Sequence, residues 1–110
     1  MLVIEDYNDI KITKVKSYKV YFSYRGRRFF IRGDYDYDDG SAFMSLFEKV
    51  TLPDGGMKVE MLDYATTSSC ASSLVEPKKG IKSNGYTYSQ IDKKVFAMNL
   101  ERLGFVRLNI

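Results

Sequence analysis

The chain contains no histidine and no tryptophan, a single cysteine at Cys70, and two prolines, Pro53 and Pro77. Each absence narrows the chemistry. Without histidine there is no Ser-His-Asp triad, no Cys-His dyad, no histidine-bearing zinc site and no imidazole base near neutral pH. One cysteine closes no internal disulfide, so its usage marks no oxidising compartment. No stretch approaches the roughly 20 apolar residues of a membrane-spanning helix. The opening residues, MLVIEDYNDI, lack a basic n-region and a long apolar run, so they do not read as a signal peptide. A cytoplasmic protein with no membrane partner is the expectation.

What is present points to one globular domain. A length of 110 residues supports a single modest core. The aromatic fraction of 15%, all tyrosine and phenylalanine, argues against disorder. The net charge of +3 permits a nucleic-acid partner without demanding one.

Hydrophobic periodicity divides the chain. Residues 10–16, IKITKVK, are β-branched and lysine-rich, which suits a strand at a sheet edge. In SYKVYFSYRGRRFFIRG, Tyr18, Val20, Phe22 and Tyr24 alternate with Lys19, Tyr21 and Ser23, the period of a strand. A two-residue turn at Arg25-Gly26 sets Phe22 against Phe29, Val20 against Ile31 and Tyr18 against Gly33. The other face then carries Lys19, Tyr21, Arg28, Phe30 and Arg32. Phe43, Leu46, Phe47 and Val50 also fit a helical spacing. The turn chemistry of LPDGG at 52–56 nevertheless favours a second hairpin, 43–52 with 57–64.

Residues 65–87 change character, forming a long Ser/Thr/Lys-rich segment that reads as one loop. Such a loop is functional, mobile, or a partly ordered surface excursion. Downstream, Ser89 with Asp92 predicts a capped helix over 89–103. Its stripe is Ile91, Val95, Met98 and Leu103, widened by Phe96 and Leu100. Gly104 ends it, with Phe105 as the hydrophobic contact after it. FVRLNI alternates as a terminal strand, with Val106, Leu108 and Ile110 on one face. The fold class is α+β: a mainly antiparallel sheet of two hairpins plus edge strands, with one C-terminal amphipathic helix packed on it.

Motifs that carry chemistry fail on spacing. An EF-hand loop begun at Asp34 puts Asp39 where glycine belongs and Ser45 at the bidentate position, and one begun at Tyr35 puts tyrosines at the first two ligand positions. GIKSNGYT at 80–87 has the glycine spacing of a P-loop, but Tyr86 stands where the lysine should. Pro53-Asp54 with Glu76-Pro77-Lys78 resembles the PD…(D/E)xK pattern of metal-dependent nucleases, whose acidic groups hold a cation from adjacent strands. Here Asp54 lies in a turn and Pro77 interrupts the second strand. Cys70 has no lysine or helix N-terminus beside it in sequence to favour a thiolate. No metal, cofactor or catalytic residue is expected, and the chain reads as a non-enzyme.

Two surfaces remain. The leading candidate is the acidic stretch Asp34, Tyr35, Asp36, Tyr37, Asp38 and Asp39, which presents carboxylates beside phenols to a protein partner. In size and composition the chain resembles phage-encoded inhibitors of host enzymes. That resemblance implies an interaction module, its acidic patch imitating phosphates to a nucleic-acid-handling enzyme. The alternative is single-stranded nucleic-acid binding through Lys19, Tyr21, Arg25, Arg28, Phe30 and Arg32, with cations on phosphates and rings on unpaired bases. RGRRFF resembles the sheet motif of RNA-recognition domains, without its second glycine and spaced aromatics. A helix packed over that face would leave only the arginine heads in water.

Overall fold

In the computed structural model, which describes residues 1–82 and 84–110, the strands are β1 (Leu2–Ile4), β2 (Ile10–Lys16), β3 (Lys19–Tyr24), β4 (Arg27–Tyr35), β5 (Ala42–Thr51), β6 (Met57–Thr66) and β7 (Val106–Leu108). One helix, α1, spans Lys93–Arg102. Strands β2 to β6 form a five-stranded antiparallel sheet in sequence order, and β1 pairs with β7 in parallel as a separate ribbon. The expected α+β class holds, with the lysine-rich strand at one edge.

The first hairpin has the expected register, Phe22 opposite Phe29 and Val20 opposite Ile31. Arg25 and Gly26 both take positive φ, 47° and 81°, the turn whose twist matches that of its strands. Arg25 occupies the left-handed position that glycine normally takes. Its guanidinium is tied to Asp9 at 2.9 Å and lies over the Tyr24 ring. The second hairpin is also a hairpin rather than a helix. Within its turn the Asp54 carboxylate accepts the Gly56 N–H at 2.9 Å, and Leu52 N–H donates to the Gly56 carbonyl.

One face of the sheet makes the core. Val20, Phe22, Phe29, Ile31, Met44 and Leu46 point into it, and Phe96, Ala97 and Leu100 of α1 cover them together with Leu2, Ile4 and Val106 of the ribbon. Phe96 meets Phe22 edge-on at 5.2 Å, a favoured geometry for two quadrupolar rings.

Three expectations need correction. The helix does not begin at Ser89. Residues 88–90 form a 3-10 turn, Ile91 pairs its backbone with Pro77, and Asp92 caps α1 by accepting the Val95 N–H at 3.0 Å. With Ile91 outside the helix, the buried stripe centres on Phe96 and Leu100, while Met98 is 46% exposed. The C-terminus closes as expected. Phe105 N–H reaches the Leu100 carbonyl and Gly104 N–H the Glu101 carbonyl, with Gly104 at φ 83°, a Schellman motif.

The last strand is not an edge of the main sheet. It pairs with β1, Leu2 opposite Val106, a strand whose three residues gave no periodic signal. Val106 is buried but Ile110 is exposed. Nor is 65–87 one loop. Strand β6 runs to Thr66, Ala71–Leu74 form a 3-10 turn, and Ala71, Leu74 and Val75 join the core. Ser83 in this segment lies outside the described residues.

Candidate functional site

Because α1, the ribbon and the 71–75 segment all pack on the Phe22–Phe29 side, the opposite face of the sheet is left open. Cross-strand partners share a face. Lys11 lies opposite Ser23, Lys14 opposite Tyr21 and Lys16 opposite Lys19. Tyr21 lies opposite Phe30, Phe30 opposite Phe47, and Arg28 opposite Lys49. Lys19 pairs across to Arg32, and Arg32 to Ser45. On β6 the same face carries Met57, Val59, Met61 and Tyr64. Every charged side chain on this face is basic except Asp34, which pairs with Arg32 at 2.8 Å.

Rings and cations are layered. Phe30 stacks on Phe47 at 4.8 Å and tilts against Tyr21 at 5.5 Å. Above them lie Lys19, 5.1 Å from the Phe30 centroid, Lys49, 4.9 Å from Tyr21, and Arg32, 4.9 Å from Phe47. Phe30 and Phe47 are each only 7% exposed, although no helix covers them. The methylene stems of the cations close the aromatic layer and keep the charged heads in water. A ligand approaching this face therefore meets positive charge first. A shallow groove of about 350 Å³ runs along it, lined by Thr13, Tyr21, Ser23, Arg28 and Lys49.

Of the expected nucleic-acid residues, Lys19, Tyr21, Arg28, Phe30 and Arg32 come together here. Arg25 does not. It turns to Asp9 and Glu5 at the hairpin end, where Asp9 above all raises its pKa. Lys11, Lys14, Lys16, Phe47, Lys49 and Tyr64 escaped the sequence reading. The signal was the strand parity of β2, β5 and β6. It was unusable on β2 and β6 until the bulges between Ile12 and Lys14 and between Met61 and Asp63 were known, and on β5 until its register with β4 was known.

The acidic stretch is a tight loop that consumes most of its own carboxylates. Asp34 is held by Arg32. Asp36 accepts the Asp38 N–H at 2.8 Å, and Asp39 accepts the Ser41 N–H at 2.8 Å. Hydrogen bonds from Ser41, its hydroxyl first, hold Asp39 below the ordinary carboxylate range. Asp38 makes no hydrogen bond or ion pair through its carboxylate among the described residues. Tyr35 and Tyr37 meet edge-on at 4.8 Å, both exposed. They border a groove of about 530 Å³ with Tyr18, Ser68, Ser69 and Cys70. Sequence separation hid this meeting of the Asp/Tyr loop with the hydroxyl-rich stretch.

The nuclease-like residues are held by local structure. Asp54 caps its own turn, while the Glu76 carbonyl accepts the Asp92 N–H and Pro77 bridges to Ile91. Among the described residues no three acidic or cysteine side chains gather as a metal site, and no helix is long and apolar enough to cross a membrane. No family model matches the chain, and no curated protein or solved structure matches it either.

Proposed function

We propose that the open face of the sheet binds single-stranded nucleic acid. The observation that carries this reading is the charge of that face, where Asp34 is the lone carboxylate among lysines and arginines laid over Tyr21, Phe30 and Phe47. Lysines and arginines gathered on one face neutralise phosphates, and the release of counterions drives association. Tyr21 and the guanidinium planes of Arg28 and Arg32 offer flat surfaces to unpaired bases. The test is fluorescence anisotropy with a labelled single-stranded oligonucleotide at low ionic strength. Salt-sensitive binding is expected, and absence of binding at low salt overturns the reading.

A second reading rests on the groove between the 34–39 loop and residues 68–70. Tyr18, Tyr35 and Tyr37 flank it, and tyrosine is favoured at the energetic centres of protein interfaces. With acidic side chains alongside, it suits a basic protein partner. Capture of such a partner that survives a Tyr35→Ala/Tyr37→Ala variant unchanged eliminates this surface.

A further inference from the structure

The two edges of the five-stranded sheet are finished differently. Strand β2 carries Lys11, Lys14 and Lys16 and a bulge between Ile12 and Lys14, devices that keep an edge strand from pairing with another chain. Strand β6 has its irregularity only at Leu62, which is skipped between Met61 and Asp63. Before that point residues 57–61, MKVEM, stay in unbroken register with β5. Met57, Val59 and Met61 are 54%, 54% and 59% exposed on the open face. Lys58 and Glu60 alternate on the other face and pair with each other at 2.6 Å.

This segment is complementary to itself. With a second copy laid antiparallel and Val59 opposite Val59, Met57 meets Met61, Lys58 meets Glu60, and every pair lies on a matching face. Opposite charges directly across a ladder stabilise it, and like charges destabilise it. Moving the twofold axis by one residue puts Glu60 against Glu60 or Lys58 against Lys58, so the charges select a single register.

We propose that residues 57–61 form an edge to which a second copy of this chain adds, joining the two five-stranded sheets into one. The contact is isologous and therefore closes as a dimer. It is short, so the dimer belongs to the weak class of interfaces. Matching faces put both basic surfaces on the same side of the joined sheet. The inference stands independently of nucleic-acid binding.

Sedimentation velocity of the purified chain, without nucleic acid, over about 1 to 300 µM tests it. The unaltered chain passes from monomer to dimer as concentration rises. Lys58→Glu turns both symmetry-related attractions into repulsions and weakens the dimer about tenfold or more. The double exchange Lys58→Glu/Glu60→Lys restores it, because each glutamate again faces a lysine. Val59→Lys, which sets two lysines on the axis, gives a second monomeric variant, and thermal melts confirm that each variant remains folded. The proposal is overturned by a chain monomeric throughout, by Lys58→Glu dimerising like the parent, by a double exchange that stays monomeric, or by species larger than a dimer.

Discussion

Replacing Lys19 and Lys49 together with glutamine tests whether the open face meets phosphates. Lys19 comes from β3 and Lys49 from β5, and both ammonium groups lie over Tyr21 and Phe30, at 4.9 to 5.9 Å from the ring centroids. Neither pairs with a carboxylate among the described residues, so each is free to displace a counterion. Glutamine keeps the first two methylenes of the stem that covers the rings and removes the charge. A phosphate contact on a single strand contributes about −0.7 to the slope of log K against log salt. Loss of two contacts makes the slope shallower by about 1.4. Between about 50 and 200 mM salt, the parent should then lose about sevenfold more affinity than the variant. Anisotropy titrations of one oligonucleotide at four or more salt concentrations measure both slopes. Arg25→Gln is the matched control, since that guanidinium is engaged by Asp9 away from the open face. An unchanged slope in the lysine variant, or an equal change in the Arg25 variant, refutes the assignment of phosphate contacts to this face.

Further outcomes follow from the core and the caps. Phe96→Ala, which empties the site against Phe22, should cost about 3–5 kcal/mol in urea denaturation, whereas Met98→Ala stays within about 0.5 kcal/mol. Asp92→Ala should cost about 1 kcal/mol through loss of the cap, and Ser89→Ala about 0.5 kcal/mol or less; equal effects would restore Ser89 as the helix start. Arg27 holds Glu48 through two hydrogen bonds of 2.7 and 2.8 Å and lowers its pKa. A carboxylate with a depressed folded-state pKa stabilises above its unfolded value of about 4.3 and loses that contribution as pH falls through the folded value. The stability gap between the parent and Glu48→Gln should therefore be full at neutral pH and close on acidification below about pH 4; a gap that widens in acid contradicts this.

The hairpins were legible because their information is local. Alternation in residues 18–24, the Arg25-Gly26 turn and LPDGG each determine geometry within a few residues, and the observed pairs of Phe22 with Phe29 and Val20 with Ile31 need nothing from elsewhere. The start of the helix was not local. Ser89 and Asp92 both have capping chemistry, and the choice fell to Ile91, whose backbone is drawn to Pro77. Likewise, β1 offers three residues with no alternation and exists because β7 lies beside it. The open face was half legible. Hairpin parity gave Lys19, Tyr21, Arg28, Phe30 and Arg32. Lys49 and Phe47 required the register of β5 on β4 across the intervening loop, which sets Lys49 opposite Arg28 and Phe47 opposite Phe30. Lys14, Lys16 and Tyr64 lie beyond bulges, where one inserted residue inverts every side chain that follows.

The β1–β7 ribbon also orders events in time. The sheet grows from neighbouring hairpins, whose loops are short and close quickly. Leu2 and Val106 are joined only after almost the whole chain lies between them. During synthesis β1 emerges ahead of the sheet strands and waits longest for its partner, so Leu2 and Ile4 lack the neighbouring strand of their ribbon until β7 arrives. A nascent chain lacking β7 should hold hairpins but remain open to proteases at its first strand, and completion of β7 should be the step that confers protection.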